Sequence, residues 1–308
     1  MLENLTHVRH QGPVLAALGR AALSTIKEKL GQGPPAGGIA VPGPELRETV
    51  PPRDEALVKA YLRSVKGDPR AYGGALPAHF FPQYAFPLLS KVLAASGYPL
   101  ARGMNGGCRL TMDAPLPANE PLNLAAHLAA VDDDGARAIL TQALTIGTAS
   151  APAAVTAELR VFIPLGPPPG EKGKKGGSKD KKKKKDKARV PDDVREIAFF
   201  KVKPQDALDF ACLTGDFNPI HWVPLIARAS GFKNTILHGF ATFARAIEGL
   251  NASVFAGDPT RLRSIDVRFT RPLVLPARVG LYVDGSGGVF VGDAPGGPAY
   301  LTGSFERA

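Results

Sequence analysis

A lysine-rich tract near the middle of the chain limits what the sequence can fold into. Residues 166–190 read GPPPGEKGKKGGSKDKKKKKDKARV and hold ten Lys and one Arg against three acidic residues, so they carry +8 of the chain's net charge of +10. Such a segment cannot bury enough apolar surface to offset the entropy lost on ordering, and we expect it to be disordered. The 308 residues therefore divide into two halves of similar size joined by a linker.

Outside this tract the chain is close to neutral, so its basic character belongs to the linker. We interpret the tract either as a solvated linker or as an electrostatic tether for an acidic partner. It contains no aromatic residue that could stack on a base, so specific nucleic-acid binding is not expected. No apolar run in the sequence has the length of about 18 residues that a transmembrane helix needs.

The two cysteines, Cys108 and Cys212, are far apart and lack the spacing of a metal site. We expect no disulfide and no metal centre, and we assign the chain to a reducing, cytoplasmic compartment. The first residues, MLENLTHVRHQG, include an early acidic residue and lack the apolar core and cleavage site of a signal peptide. They are predicted to be mature sequence.

Both halves are predicted to contain one apolar helix followed by antiparallel strands. In the first half, an amphipathic helix at 13–30 and a Gly/Pro-rich connector precede a helix at 54–66 and an apolar helix at 82–96. Short strands separated by turn signals follow. We assign residues 1–50 to the N-terminal helix and connector, and 51–165 to the first folded unit.

The second half, residues 191–308, repeats this order. It begins with a predicted strand, IAFFKV, and two short helices at 204–211 and 221–230. A mostly apolar helix at 238–250 and a series of strands and hairpin turns complete it. The repeated order indicates a duplicated module.

The stretch TGDFNPIHW places an acid, an amide and an imidazole on one predicted turn, as Asp216, Asn218 and His221. A helix that begins near Pro219 explains one of them as its cap. It does not require all three, and a carboxylate and an imidazole that face the same volume can hold a water and move its protons. Both interpretations stay open here. One acid and one histidine are too few ligands to predict a metal site.

A second segment, ILHGFATF, places Gly239 at the start of the second apolar helix. Amides at a helix N-terminus stabilise a developing negative oxygen, and glycine permits close approach to the backbone. We interpret Gly239 either as part of an oxyanion site or as an ordinary helix start. His238 is interpreted as a packed residue of the cap region.

The stretch FACLTGDFNPIHWVPLIA, residues 210–227, resembles the signature of the MaoC-like, R-specific (type 2) enoyl-CoA hydratases. That signature has an aromatic residue, a short spacer, G-D-x-N-P-aliphatic-H, five residues and Ala. ILHGF and SIDVRFTRPLVLPA resemble two further segments of the family, although Ala277 stands where a Gly is usual. The resemblance covers about residues 197–305. The fixed positions are filled by Phe210, Gly215, Asp216, Asn218, Pro219, Ile220, His221 and Ala227.

The resemblance implies an α+β fold of two tandem hot-dog folds, each an antiparallel sheet wrapped around a long central helix, joined by the disordered Lys-rich linker. The first half lacks the G-D-x-N-P-x-H pattern. We therefore expect a degenerate, acyl-binding hot dog at 51–165 and a catalytic one at 191–308. The chain is expected to act as a monomeric pseudo-dimer or as a homodimer.

The resemblance also implies roles for individual residues. Asp216 and His221 would activate the water that adds across a trans-2-enoyl thioester, and Asn218 would support that water and the turn. The amide of Gly239 would bind the thioester oxygen, and Arg268 and His238 are possible contacts for CoA. No cofactor is implied beyond the CoA or acyl-carrier-protein thioester that carries the substrate.

Three alternatives stay open. One is an acyl-carrier-protein-dependent 3-hydroxyacyl dehydratase of fatty-acid or polyketide synthesis, whose lysine tract would recruit the acidic carrier. Another is a non-catalytic acyl-thioester binding protein, which has no use for the acid, amide and imidazole spacing. The third is a thioesterase, which needs a carboxylate on the central helix. Glu248 lies near the end of that helix, an unfavourable position.

Overall fold

The computed structural model describes residues 3–29, 40–100, 103–166 and 188–308. The predicted disorder of the Lys-rich linker, and most of the Gly/Pro-rich connector, fall on residues outside these ranges. The described helices are α1 (Gly12–Lys29), α2 (Glu55–Ser64), α3 (Pro82–Ala94), α4 (Pro204–Thr214), α5 (Pro224–Ala229) and α6 (Gly239–Ser253).

The described strands belong to one large antiparallel sheet and one small one. Ten strands form the large sheet in the order β1-β5-β6-β7-β3-β9-β12-β11-β10-β8, and the other two pair separately. In chain order the strands are β1 (Leu46–Val50), β2 (Ala75–Leu76), β3 (Met104–Met112), β4 (Leu116–Pro117), β5 (Leu122–Asp133), β6 (Arg137–Gly147), β7 (Val155–Pro164), β8 (Arg195–Val202), β9 (Leu262–Phe269), β10 (Ala277–Val283), β11 (Gly288–Gly292) and β12 (Ala299–Arg307).

The order of the large sheet is the same in both halves. Counted outward from the central β3–β9 pair, the first half contributes β3, β7, β6, β5 and β1, and the second contributes β9, β12, β11, β10 and β8. Each half is thus one copy of the same module, related to the other by a pseudo-twofold axis between β3 and β9. This confirms the prediction of two tandem hot-dog folds.

The central helices are the two apolar segments that the sequence analysis identified. α3 packs against β1, β5 and β6, and α6 packs against β8, β9 and β11. Every residue of α6 from Phe240 to Asn251 is buried. A helix that is enclosed on all sides is expected to be apolar all round, and this one is largely so.

Three boundaries differ from those predicted. The predicted connector contains β1, which pairs with β5 and places Leu46 opposite Ala126. β1 has only five residues, two of them charged, and lies at the edge of the sheet. Its sequence therefore gives no clear strand signal. The predicted helix at 221–230 is a 3-10 turn followed by α5, because a residue before Pro disfavours helical backbone. At the end of the linker, Val190 is buried against the second half.

Both cysteines are free, which agrees with the expectation of no disulfide, and both are buried. Burial raises the pKa of the thiols of Cys108 and Cys212, so neither is an activated nucleophile. Among the residues that the structure describes, no helix combines the length and the hydrophobicity needed to cross a membrane. The cytoplasmic location stays a prediction.

Candidate active site

The turn that carries Asp216 follows directly from the end of α4. The helix stops at Gly215, whose φ of +84° lies in the left-handed region that glycine adopts readily. Asn218 then caps the next turn, because its Oδ1 accepts a hydrogen bond of 3.3 Å from the amide of Ile220. The 3-10 turn that starts there, Pro219–His221, brings His221 back beside the acid.

The ring of His221 is fixed in one tautomer. Its Nδ1 lies 2.9 Å from the carbonyl oxygen of Ile236. A carbonyl only accepts hydrogen bonds, so Nδ1 must carry the proton and, in the neutral ring, Nε2 offers a lone pair. His221 is 9% exposed, whereas the side chain of Asp216 is 30% exposed. The pair therefore combines a buried acceptor with a carboxylate that reaches solvent.

His238 completes the cluster from the other side. Its ring stacks on that of His221, with centroids 3.6 Å apart and planes inclined by 24°. Its Nε2 donates a hydrogen bond of 2.9 Å to the backbone oxygen of Asp216. One nitrogen or oxygen from each of the three side chains lies within 4.8 Å of the others. Two hydrogen bonds of about 2.8 Å to one water span ~4.5 Å, so this spacing suits a shared water.

The same three side chains were tested as ligands of a metal ion. An ion about 2 Å from both imidazoles would have to lie in both ring planes, because a ring nitrogen binds through its in-plane lone pair. The stacked planes of His221 and His238 do not meet at that distance. In addition, one nitrogen of each ring already donates to a carbonyl. The arrangement does not suit a single ion, and its spacing is compatible with a shared water.

The start of α6 adjoins this cluster. His238 is the residue before the helix, and the amide of Gly239 is its first. Amides in the first turn have no acceptor within the helix and so are available to a ligand. A Cβ added to Gly239 would lie 3.1 Å from the ring of Phe269, so the chain is tightly packed here. The predicted oxyanion donor therefore lies next in the chain to His238, a member of this three-residue cluster.

The two residues predicted to contact CoA, Arg268 and His238, differ in their exposure to solvent. Arg268 is an exposed residue of β9 that lies opposite Thr302 of β12 in the sheet. His238 is 2% exposed, and its Nε2 is occupied within the turn, so it has no path to a CoA phosphate. The structure does not support that contact for His238. Its stacking on His221 was missed, because no local pattern links residues 17 positions apart.

The first half has a buried histidine of its own, in a different setting. Nε2 of His79 lies 2.7 Å from Oε1 of Glu248, and the two side chains are 1% and 4% exposed. The hydroxyl of Tyr72 donates to the same oxygen at 2.5 Å. Glu248 is therefore enclosed and already hydrogen-bonded, so it does not provide the attacking carboxylate that the thioesterase alternative requires.

His238 is expected to make folding pH-dependent. Burial, and secondarily the neighbouring His221, lowers the pKa of His238 to about 3. Between pH 6.5 and 3 the unfolded chain thus binds more protons than the folded one, and stability falls as pH falls. The expected slope from this group is up to ~1.4 kcal/mol per pH unit. Urea unfolding at pH 7, 6, 5 and 4 measures it, with His238→Gln removing that part of the slope.

A matched control for this measurement is His127→Gln, since His127 is a partly exposed residue of β5. This variant should keep the slope of the wild type. Parallel pH profiles for wild type and His238→Gln would contradict the prediction.

Comparison with known proteins finds a family model and several relatives that are similar to the second half. Residues 181–291 match the family model described as "MaoC like domain". A segment of 92 residues is 39% identical to 3-hydroxyacyl-thioester dehydratase X of Mycobacterium tuberculosis and covers 30% of this chain and 31% of that protein. A segment of 69 residues is 41% identical to the peroxisomal enoyl-CoA hydratase 2 of Arabidopsis thaliana and covers 22% of each chain.

These alignments span less than a third of the length of either relative. The whole fold is similar to the crystal structure of HtdX from Mycobacterium tuberculosis, with a TM-score of 0.66 and 20% sequence identity. That similarity covers 86% of this chain and 100% of the other. At this level of identity it concerns the fold, which extends over both halves.

Proposed function

We propose that the protein is an R-specific enoyl-CoA hydratase, or in the reverse direction a (3R)-hydroxyacyl-thioester dehydratase. The match of residues 181–291 to the family model described as "MaoC like domain" supports this proposal. The names of the two curated relatives support this class of hydro-lyase. The observation that carries the proposal is the pairing of Asp216 with a His221 whose Nδ1 is bonded to a carbonyl and whose Nε2 lone pair is available.

The proposed reaction uses this pair and the start of α6. A water held by Asp216 and Nε2 of His221 gives up one proton to the pair as its oxygen bonds to C3 of the trans-2-enoyl thioester. The amide of Gly239 stabilises the negative charge that develops on the thioester oxygen. A proton then returns from the pair to C2 on the same face, which gives the (3R)-hydroxyacyl product. Dehydration follows the same steps in reverse.

The other residues support this arrangement. Asn218 holds the turn through the amide of Ile220, and we propose that it also orients the water. His238 packs against His221 and is neutral at working pH, because burial lowers its pKa to about 3. A neutral ring does not repel the positive charge that His221 gains when it takes a proton.

The proposed catalytic residues all lie in the second half, so we propose one catalytic site in each chain.

The first half is proposed to bind the acyl chain without chemistry of its own. The side chain of its buried His79 is bonded to Glu248 and Tyr61, so it is not available to a substrate. We propose CoA or acyl carrier protein as the thioester carrier, with no further cofactor. The Lys-rich tract would favour an acidic carrier protein by electrostatic attraction. A monomeric pseudo-dimer and a homodimer are both compatible with this proposal.

The test is a spectroscopic assay that follows the loss of the enoyl-thioester absorbance. Purified protein is expected to hydrate crotonyl-CoA, trans-2-decenoyl-CoA or both, and the product should be the (3R) isomer by chiral analysis. If neither CoA ester reacts, the same assay with enoyl-acyl-carrier-protein substrates decides between the carrier-dependent dehydratase and no hydratase activity at all. If the protein hydrates neither the enoyl-CoA esters nor the enoyl-acyl-carrier-protein substrates, the proposed function is overturned.

A further inference from the structure

The N-terminal segment, residues 3–29, lies outside the two sheet halves and yet contacts both. Its first part is a 3-10 helix, Glu3–Gln11, that packs on α4 of the second half. The following helix, α1, packs on α3 of the first half. The segment therefore meets the second half at the helix whose C-terminal end leads into the turn of Asp216.

Gln11 makes a buried polar contact between this segment and α4. Its side chain is fully buried, at 0% exposed. Its Nε2 donates a hydrogen bond of 3.1 Å to the carbonyl oxygen of Cys212, and its Oε1 accepts one of 3.2 Å from Gln83 of α3. Cys212 is in the last turn of α4, where carbonyl oxygens lack a partner within the helix. Gln11 thus holds the C-terminal end of α4 and ties it to α3.

Val14, one helical turn further along, packs on the residue that precedes the acid. Val14 is 2% exposed, and a Cβ added to Gly215 would lie 2.7 Å from the Cβ of Val14. Two residues of the N-terminal segment therefore converge on the last turn of α4 and on Gly215. Asp216 follows immediately in the chain.

Two of the hydrogen bonds within the turn itself are long. The amide of Asp216 lies 3.5 Å from Oγ1 of Thr214, and the amide of Asn218 lies 3.4 Å from Oδ1 of Asp216. Ordinary N–H···O bonds are about 2.9–3.0 Å, so these local bonds are weak. Bonds of ordinary length also hold the turn, from the amide of Phe217 to the carbonyl oxygen of Gly215 and from Nε2 of His238 to the carbonyl oxygen of Asp216, each 2.9 Å. The buried Gln11 and Val14 add contacts from outside the turn at its start.

We infer that Gln11 and Val14 are positioning residues for Asp216, so that these two residues of the N-terminal segment support the active site of the second half. The catalytic side of this inference rests on the proposed function. A carboxylate misplaced by about 1 Å loses much of its effect on the rate while substrate binding is retained. The inference therefore predicts an effect on kcat rather than on KM.

The first test compares Gln11→Leu with Leu15→Ala. Leucine has a similar size but neither bonds the Cys212 carbonyl nor accepts from Gln83. Leu15 lies four residues further along the same segment, in α1, and is 38% exposed. For Gln11→Leu, kcat is expected to fall about tenfold or more with KM for the enoyl thioester changed less than ~2-fold. Leu15→Ala should match the wild type in both constants.

A second readout does not depend on activity. Trp222 is the only tryptophan of the chain, and its indole Nε1 donates to the carbonyl oxygen of Phe217 at 3.2 Å, so it reports on the same turn. In Gln11→Leu, its emission maximum and its quenching by acrylamide are expected to change. In Leu15→Ala both should stay as in the wild type. Thermal unfolding checks that each variant is folded.

Each result decides the inference. Unchanged kcat and unchanged Trp222 fluorescence in Gln11→Leu would overturn it. If the wild type hydrates no enoyl thioester, the proposed function fails, and the Trp222 signal alone still decides whether Gln11 positions the turn.

If Gln11→Leu does not fold, Val14→Ala replaces it, because that change removes only the packing on Gly215. A smaller loss of kcat and a shift of Trp222 emission are then expected, and the absence of both would contradict the inference.

Discussion

Replacing Asp216 by Asn is expected to lower kcat for enoyl-CoA hydration by ~10²-fold or more, the usual size of a general acid–base contribution. The amide has nearly the shape of the carboxylate and keeps an oxygen that can accept the bond from the amide of Asn218. It cannot take up a proton from the water. The turn should therefore stay folded while proton transfer is lost, and the absorbance assay with crotonyl-CoA and trans-2-decenoyl-CoA measures the change.

The matched control for this variant is Asp209→Asn. Asp209 lies on α4, in the same half, and accepts a hydrogen bond from Gln205 in its own helix. This change removes one carboxylate that is close to the site in sequence, and it leaves the turn unaltered. The loss of one weakly coupled surface charge has little energetic effect, so kcat should stay within about twofold of the wild-type value. An Asp216→Asn enzyme with wild-type kcat would assign the proton transfer to His221 or to another group.

The sequence predicted those parts of the fold that depend on local pattern. Both central helices are apolar over several turns, and the strands that alternate in burial, such as β6 and β7, are long enough to be recognised. The pairing of β3 with β9, which joins the halves into one sheet, has no local signal. It depends on tertiary packing between segments more than 150 residues apart.

In the candidate site too, the residues of the local motif could be predicted from the sequence, whereas the contacts between distant residues could not. Asp216, Asn218 and His221 lie within six residues, and the turn residues around them fix their relation. The stacking of His238 on His221 depends on where α6 is placed against α4. The contact between Gln11 and Cys212 joins residues 201 positions apart. A single glutamine in an N-terminal helix gives no sign of such a role.

Replacing Glu248 by Ala is expected to destabilise the protein by ~2–6 kcal/mol, because each of two buried hydrogen-bond donors left without an acceptor costs about 1–3 kcal/mol. Oε1 of Glu248 accepts from both His79 and Tyr72, so two buried donors from the first half would lose their acceptor. Burial, and secondarily the charge of Glu248, raises the pKa of Tyr72, so its hydroxyl stays a donor. Urea unfolding and thermal unfolding measure the loss, which corresponds to a Tm lower by about 10 °C.

The size of this effect depends on burial, and an exposed pair on α2 provides the control. Glu55 bonds Lys59 at 2.5 Å, but its side chain is 81% exposed, so Glu55→Ala should cost no more than ~1 kcal/mol. Glu248→Gln separates charge from shape, because the amide oxygen can still accept from His79 and Tyr72. A loss for Gln as large as that for Ala would show that the negative charge itself holds the two halves together at this point. A loss below about 1 kcal/mol for Glu248→Ala would contradict a stabilising role of the buried cluster, because it would equal that of an exposed pair.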